Sequence, residues 1–222
     1  MKIDLHVHSS DLSLCGHIPS DELIDRYIEA GYDGFVLTNH FSREMAEHFD
    51  RHGIPQSEYF AHYKACYEKA RAYGEKRGFL VLCGYEFRFN GSSNDYLVYG
   101  MPDEIGENCL EMFGWGPEKF GQFARENDIL FYQAHPFRNH MRVVKPSCLF
   151  GMEVHNGHPR HDSRNDIAKA WADKFNLHQI GGSDCHQIED VGRAGIEIEG
   201  TISTIEELCQ LLREDRYTIY VR

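Results

Sequence analysis

No uninterrupted apolar run approaches the roughly 20 residues that a membrane-spanning helix needs, and the chain opens on Lys2-Ile3-Asp4-Leu5-His6 without the apolar core of a secretory leader. The seven cysteines form an odd set with no two within four positions, so neither a CxxC redox pair nor a zinc ribbon is encoded. A reduced, cytoplasmic protein with no membrane partner is the expectation. No P-loop or GxGxxG element is present to hold a nucleotide cofactor. Basic residues are scarce, 23 Lys and Arg against 35 Asp and Glu, for a formal net charge of -12. Non-specific affinity for nucleic acid comes mainly from Lys and Arg, so extended nucleic acid is not an expected partner. Bound divalent cations would invert the local field, which keeps a small phosphorylated substrate compatible with an acidic chain.

What is present is an ordinary globular composition, 41% hydrophobic and 26% charged, with no linker, internal repeat or low-complexity tract to separate a second domain. One domain over 1–222 is expected, and its length suits a (β/α) barrel of roughly 200 to 250 residues. Six strand-like runs end on His, Asp or Glu: Asp4-Leu5-His6-Val7-His8, Phe35 to His40, Leu80 to Glu86, Leu130 to His135, Met152 to His155, and Ile180 to His186. If such strands lie parallel and close into a barrel, their C-terminal ends share one rim and these residues converge. Two further strands read at Tyr96–Tyr99 and Ala194–Ile198, and a last one at Tyr217–Val221.

Helical periods separate the strands. Pro19-Ser20-Asp21-Glu22 opens a helix with the stripe Leu23, Ile24, Tyr27 and Ile28, stopped by Gly31. Ser57 opens another through Phe60, Tyr63, Tyr67 and Ala70, and Gly116-Pro117 a third through Phe120, Phe123 and Ala124. Asp162-Ser163 opens a helix with Ile167, Ala170 and Trp171, and Ser203 with Glu206 reads as a capping box ahead of Leu208, Leu211 and Leu212. This alternation predicts an α/β protein built on a parallel sheet, with Asn139–Ser147 and Gly157–Arg164 as rim loops.

The ligand types fit metal. Neutral imidazole and carboxylate suit zinc, manganese and iron, and a set this large exceeds one tetrahedral shell. His6-Val7-His8 places two imidazoles on one strand face, because side chains alternate with period two. A carboxylate ending an apolar run, as Glu86 and Asp184 do, needs a partner or a cation to offset burial. Two or three ions sharing ligands point to displacement at phosphorus.

In order, the HxH pair, Asn39-His40, Gly84-Tyr85-Glu86, Ala134-His135-Pro136 and Gly182-Ser183-Asp184-Cys185-His186 resemble the polymerase and histidinol phosphatase (PHP) family, from Ile3 to about Gly195. The resemblance implies a distorted (β/α)7, TIM-like barrel of PHP type that carries a multinuclear metal site and cleaves phosphate esters. It implies that His6, His8, Glu86 and Asp184 hold a first ion, that Glu86 bridges to a second held by His135, and that His40 and His186 hold a third. The metals would be two or three of manganese, zinc or iron.

Two positions depart from the family pattern. Where many members carry a His ahead of a strand, this chain has Asp95, read either as a carboxylate ligand or as a turn residue. After the HxH pair, Asp11, Cys15 and His17 compete for the third ion, and Asp11 is the residue chosen. His155 is expected to touch substrate and to serve as a candidate acid, alongside Glu86 and Asp184 in the chemistry; a rim histidine bonded to a neighbour is the alternative. Arg138, Arg160 and Arg193 occupy loops where a phosphate would find cationic donors. The implied activity is hydrolysis of a small phosphomonoester by water acidified between cations. The alternatives are a phosphodiesterase or exonuclease on short nucleic acids, and a non-catalytic metal-binding regulatory module.

Overall fold

The computed structural model describes residues 1–222. Ten strands are present: β1 (Lys2–Val7), β2 (Gly34–Leu37), β3 (His40–Phe41), β4 (Leu80–Arg88), β5 (Asp95–Tyr99), β6 (Leu130–Gln133), β7 (Gly151–Asn156), β8 (His178–Gly182), β9 (Ala194–Glu197) and β10 (Thr218–Val221). The helices are α1 (Ser20–Glu29), α2 (Arg43–Arg51), α3 (Tyr59–Arg77), the short α4 (Asp103–Gly106) and α5 (Cys109–Met112), α6 (Pro117–Glu126), α7 (Asn165–Phe175) and α8 (Ile205–Arg213). No helix is long and apolar enough to cross a membrane.

The strands follow the order β10-β9-β1-β2-β4-β5-β6-β7-β8, with β3 continuing beside β4. Beyond β8 the chain returns to β1: Cys185 donates its N–H to the His6 carbonyl at 3.2 Å, and His8 donates to the Cys185 carbonyl at 2.9 Å. The sheet therefore wraps into the TIM-like barrel that the motifs imply. Gly182 permits this closure, since a Cβ there would lie 2.4 Å from the His6 Cβ.

The sheet is mixed rather than all parallel. Strands β1-β2-β4 and β6-β7-β8 run parallel, but β5 is antiparallel to both β4 and β6, and β9 is antiparallel to β1. The turn between Arg88 and Asp95 is too short for a crossover helix, which a parallel pairing requires. Leu5, Val36, Leu82, Leu97 and Tyr132 share one buried cluster with Leu208, Leu211 and Leu212 of α8. A second, aromatic cluster joins Phe41, Phe87, Phe89, Tyr96, Phe120 and Phe131.

Local details differ from the periodic reading. The capping box of α8 is Thr204 with Glu207, not Ser203 with Glu206. Helix α7 buries Ala168 and Ala172 and leaves Ile167 exposed. Helix α2 follows a short strand that the sequence periodicity passes over.

Candidate metal centre

The parallel strands deliver their terminal residues to one end of the barrel. His6 lies in β1 with His8 just beyond, His40 opens β3, Glu86 lies near the end of β4, and His135 and Asp184 follow β6 and β8. His135 (φ 28°) and Asp184 (φ 53°) adopt left-handed backbone, which non-glycine residues rarely do, at a cost of order 1–3 kcal/mol each. Surrounding hydrogen bonds hold them there. The His135 N–H donates to Glu153 Oε2 at 2.8 Å, and Arg138 Nη2 donates to Asp184 Oδ2 at 2.7 Å.

The donor atoms converge. His6 Nε2 lies 3.2 Å from Glu86 Oε1 and 3.4 Å from Asp184 Oδ1, and His8 Nε2 lies 3.3 Å from Glu86 Oε2 and 3.6 Å from Asp184 Oδ1. Ligand atoms about 2.1 Å from a tetrahedral zinc stand roughly 3.4 Å apart, so these separations fit one ion. His6 Nε2 and His8 Nε2 are buried with no hydrogen-bond partner. Buried polar atoms are rarely left so, and two imidazole nitrogens turned toward the same pair of carboxylates suit a divalent cation. Glu86 Oε1 also lies 3.0 Å from His135 Nε2, with Asp95 Oδ2 3.9 Å from the same nitrogen, which supplies a second group beside the first.

The opposite ring nitrogens are occupied. His6 Nδ1 meets Glu153 Oε1 at 2.9 Å, His8 Nδ1 meets Ser13 Oγ at 3.2 Å, His40 Nδ1 meets Glu86 Oε2 at 2.9 Å, and His186 Nδ1 meets the Asp184 carbonyl at 2.9 Å. A neutral imidazole that donates through Nδ1 presents a lone pair at Nε2, the form that binds metal.

Electrostatics agree. Burial opposes ionisation of Glu86, but the His40 and His6 imidazoles hold its carboxyl well below the usual range. Burial likewise opposes a charge on His6, which Asp184, Glu153 and Glu86 nevertheless push well above the usual imidazole value. Without a metal the carboxylates retain a proton on His6, and a bound cation takes over that role.

The sequence-expected residues divide into those that meet here and those that do not. His6, His8, His40, Glu86, His135, Asp184 and His186 come together, and Asp95 joins the group with His40 and Glu86. Asp95 also forms a two-pronged ion pair with Arg88, at 2.6 and 2.9 Å, so its carboxylate is shared. Asp11 lies outside the group: its oxygens accept from Lys69 Nζ at 2.6 Å and the Ser20 N–H at 2.9 Å. Cys15 lies in the cleft instead, its Sγ 3.1 Å from His40 Nε2. Burial opposes ionisation of that thiol, but hydrogen bonds from His186 and His40 bring it down to about 5.

His155 also lies apart from the group. The pairing of β7 with β8 shifts register between Glu153 and His155, so the period-two alternation breaks there. Glu153 reaches His6 and Asn156 reaches Asp184, whereas His155 Nδ1 faces Asn165 Nδ2 at 3.4 Å in a neighbouring groove. His158 takes the place in the cleft, grouped with Asp184 and His186. Burial, with Arg138 and Arg160 nearby, pulls His158 down to about 4, so it is neutral at pH 7.

Arg138 and Arg160 line the cleft. Arg160 forms a two-pronged pair with Asp190, at 2.6 and 2.7 Å. Arg193 donates its Nε to the Glu189 carbonyl and lines the neighbouring groove, apart from the cluster. Sequence reasoning passed over Glu153, His158 and Arg88; a buried strand carboxylate at Glu153 was the one signal available.

A mixed barrel with histidines and carboxylates gathered at one mouth defines a PHP-type fold, and known proteins agree. A PHP-associated family model matches residues 162–217. No curated protein sequence matches the chain. Among solved structures, a two-domain protein from Bacteroides vulgatus that contains a predicted PHP-like metal-dependent phosphoesterase superposes with a TM-score of 0.66 at 19% identity, covering 100% of this chain and 65% of that one. A candidate metal-dependent phosphoesterase from Bifidobacterium adolescentis gives 0.59 at 14%, covering 95% and 96%. A lesion-specific endonuclease from Pyrococcus furiosus gives 0.63 at 15%, covering 98% and 57%. At these identities the likeness establishes the fold: this chain is a PHP-fold protein.

Proposed function

We propose that the chain is a metal-dependent phosphoric ester hydrolase that acts on a small phosphomonoester. The observation that carries this reading is the convergence of buried, unpartnered His6 Nε2 and His8 Nε2 on Glu86 and Asp184, with His135 beside them. Divalent manganese, zinc or iron held by these residues would acidify a water and neutralise the non-bridging oxygens of a phosphate. The chain's own part is to hold the Nε2 lone pairs in place through Glu153, Ser13 and the Asp184 carbonyl. Arg138 lends positive charge beside Asp184, and neutral His158 offers a hydrogen-bonding or ligating ring without a proton to give at pH 7.

The cleft, about 340 Å³, is lined almost wholly by polar residues. Its arginines Arg88, Arg138 and Arg160 are each paired with a carboxylate, Asp95, Asp184 and Asp190. That arrangement supplies fixed donors for one phosphate and no continuous basic track for a polymer, which favours the monoester. The nearly complete ligand set favours an enzyme over a non-catalytic module. Likeness to the Pyrococcus endonuclease supports a second reading, hydrolysis of a nucleic-acid diester. The test compares kcat/KM of the metal-loaded protein on a panel of phosphomonoesters and on oligonucleotides with free and phosphorylated ends. Phosphate release far faster than oligonucleotide shortening is expected; the reverse order overturns the monoester reading.

A further inference from the structure

The seven clustered ligands are nitrogen and oxygen donors, and the outer edge of the cleft adds sulfur. Cys15 lies in the loop from Ser9 to Ile18, which is folded tightly rather than splayed. The Ser10 N–H donates to the Ile18 carbonyl at 2.8 Å, Ser13 N–H to the Ser9 carbonyl at 3.0 Å, and Gly16 N–H to the Ser13 carbonyl at 2.9 Å. A Cβ on Gly16 would stand 2.8 Å from the Ser9 carbonyl, so only glycine lets the loop fold back this closely. His17 then donates its backbone N–H to the His186 carbonyl at 2.8 Å, and Ser13 Oγ accepts the His40 N–H at 3.1 Å. The loop is thereby pinned to both histidine segments, with Cys15 between the pins.

Its thiol meets His40 Nε2 at 3.1 Å and is within hydrogen-bonding reach of His186. Both rings commit Nδ1 elsewhere, to Glu86 and to the Asp184 carbonyl, so their Nε2 lone pairs are the free ones. His40 and His186 also group with His8, whose fully buried Nε2 has no hydrogen-bond partner. One sulfur and two imidazole nitrogens with a side open to the cleft resemble the three-ligand zinc sites that keep a fourth position for water or substrate.

We propose that the outer metal site of this chain is a thiolate–imidazole site formed by Cys15, His40 and His186. It rests on the metal-centre reading above. A soft sulfur ligand separates this site from the inner nitrogen and oxygen set and selects zinc or cobalt there over manganese.

The test loads metal-free protein with Co²⁺ anaerobically and records its optical spectrum and bound-metal stoichiometry. Wild type is expected to show a near-ultraviolet thiolate-to-cobalt charge-transfer band beside the visible bands of imidazole- and carboxylate-bound cobalt. Cys15→Ser is expected to lose the charge-transfer band and to weaken one Co²⁺ about tenfold or more, while the visible bands of the inner site persist and report an intact fold. Cys15→His is expected to restore stoichiometry without the charge-transfer band. A charge-transfer band that survives in Cys15→Ser, or wild type that binds cobalt with no such band, overturns the inference and leaves the inner centre standing. A protein that binds no cobalt overturns both.

Discussion

Glu153 Oε1 lies 2.9 Å from His6 Nδ1, and the other oxygen of the same carboxylate accepts the backbone N–H of His135 at 2.8 Å. One buried side chain, on a strand that adds no member of its own to the donor cluster, thus orients His6 and His135, both of which contact Glu86. Carboxylate–histidine pairs of this kind raise imidazole basicity, and losing the outer partner typically costs 10–100-fold in metal affinity. Glu153→Gln is expected to weaken metal binding about tenfold or more, read by calorimetric titration. Unchanged affinity would show that Glu153 merely fills space.

Glu86 faces His6, His8, His40 and His135 from one carboxylate. Glu86→Gln keeps the shape and removes the charge. It is expected to abolish most turnover and to lower bound metal, with the circular dichroism of the fold retained. Near-native kcat with full metal content would remove Glu86 from its bridging role.

His155 and Asp11 are expected to be bystanders. His155→Ala should leave metal content and kcat/KM close to wild type, whereas His158→Ala should lower kcat/KM about tenfold or more. Asp11→Asn loses the pair with Lys69 and should cost up to about 1 kcal/mol in denaturant unfolding with metal stoichiometry unchanged. Metal loss in Asp11→Asn would restore Asp11 to the ligand set.

Metal uptake should depend on pH with a definite sign. Against burial, His6 is held above the ordinary 6.5 by Asp184, Glu153 and Glu86, and His40 by Glu86 and the Cys15 sulfur. Each must lose its proton to ligate, so affinity should climb as pH rises through and beyond 6.5, by about tenfold per pH unit for each proton displaced. Titrations in buffers of different ionisation enthalpy count those protons. An affinity flat from pH 6 to 8, within what calorimetry resolves, would contradict the arrangement.

Asp4 offers a test of the fold free of metal. Burial raises its carboxyl from 3.8 to about 6, against lowering hydrogen bonds from Ser183, His6 and Tyr27. The folded state therefore holds a proton that the unfolded chain releases across that window, and this group's contribution to stability declines as pH rises through it, by about 3 kcal/mol in all. Relative to wild type, metal-free Asp4→Asn is expected to gain stability between pH 4 and 6, measured by urea unfolding. Parallel stability curves for the two proteins would refute the shift.

The ordered pattern of strands ending on His, Asp or Glu was enough, from sequence alone, to indicate the barrel, its mouth lined by histidines and carboxylates, and seven of the residues that meet there. Each of these follows a short apolar run whose end geometry is local and repeated, so the pattern survives in one dimension. What tertiary structure decided lies where that regularity fails. The loop after His8 has no period, and only its hydrogen bonds to the His40 N–H, through Ser13 Oγ, and to the His186 carbonyl place Cys15 at the cleft while Lys69 takes Asp11. The register shift in β7 sends His155 outward and brings Asn156 in, with His158 of the following loop entering the cleft. The antiparallel β5 sets Asp95 opposite Arg88, which makes one carboxylate both a cluster member and half of an ion pair. Each outcome depends on a partner far away in sequence or on a one-residue slip in alternation, and neither leaves a trace in local pattern.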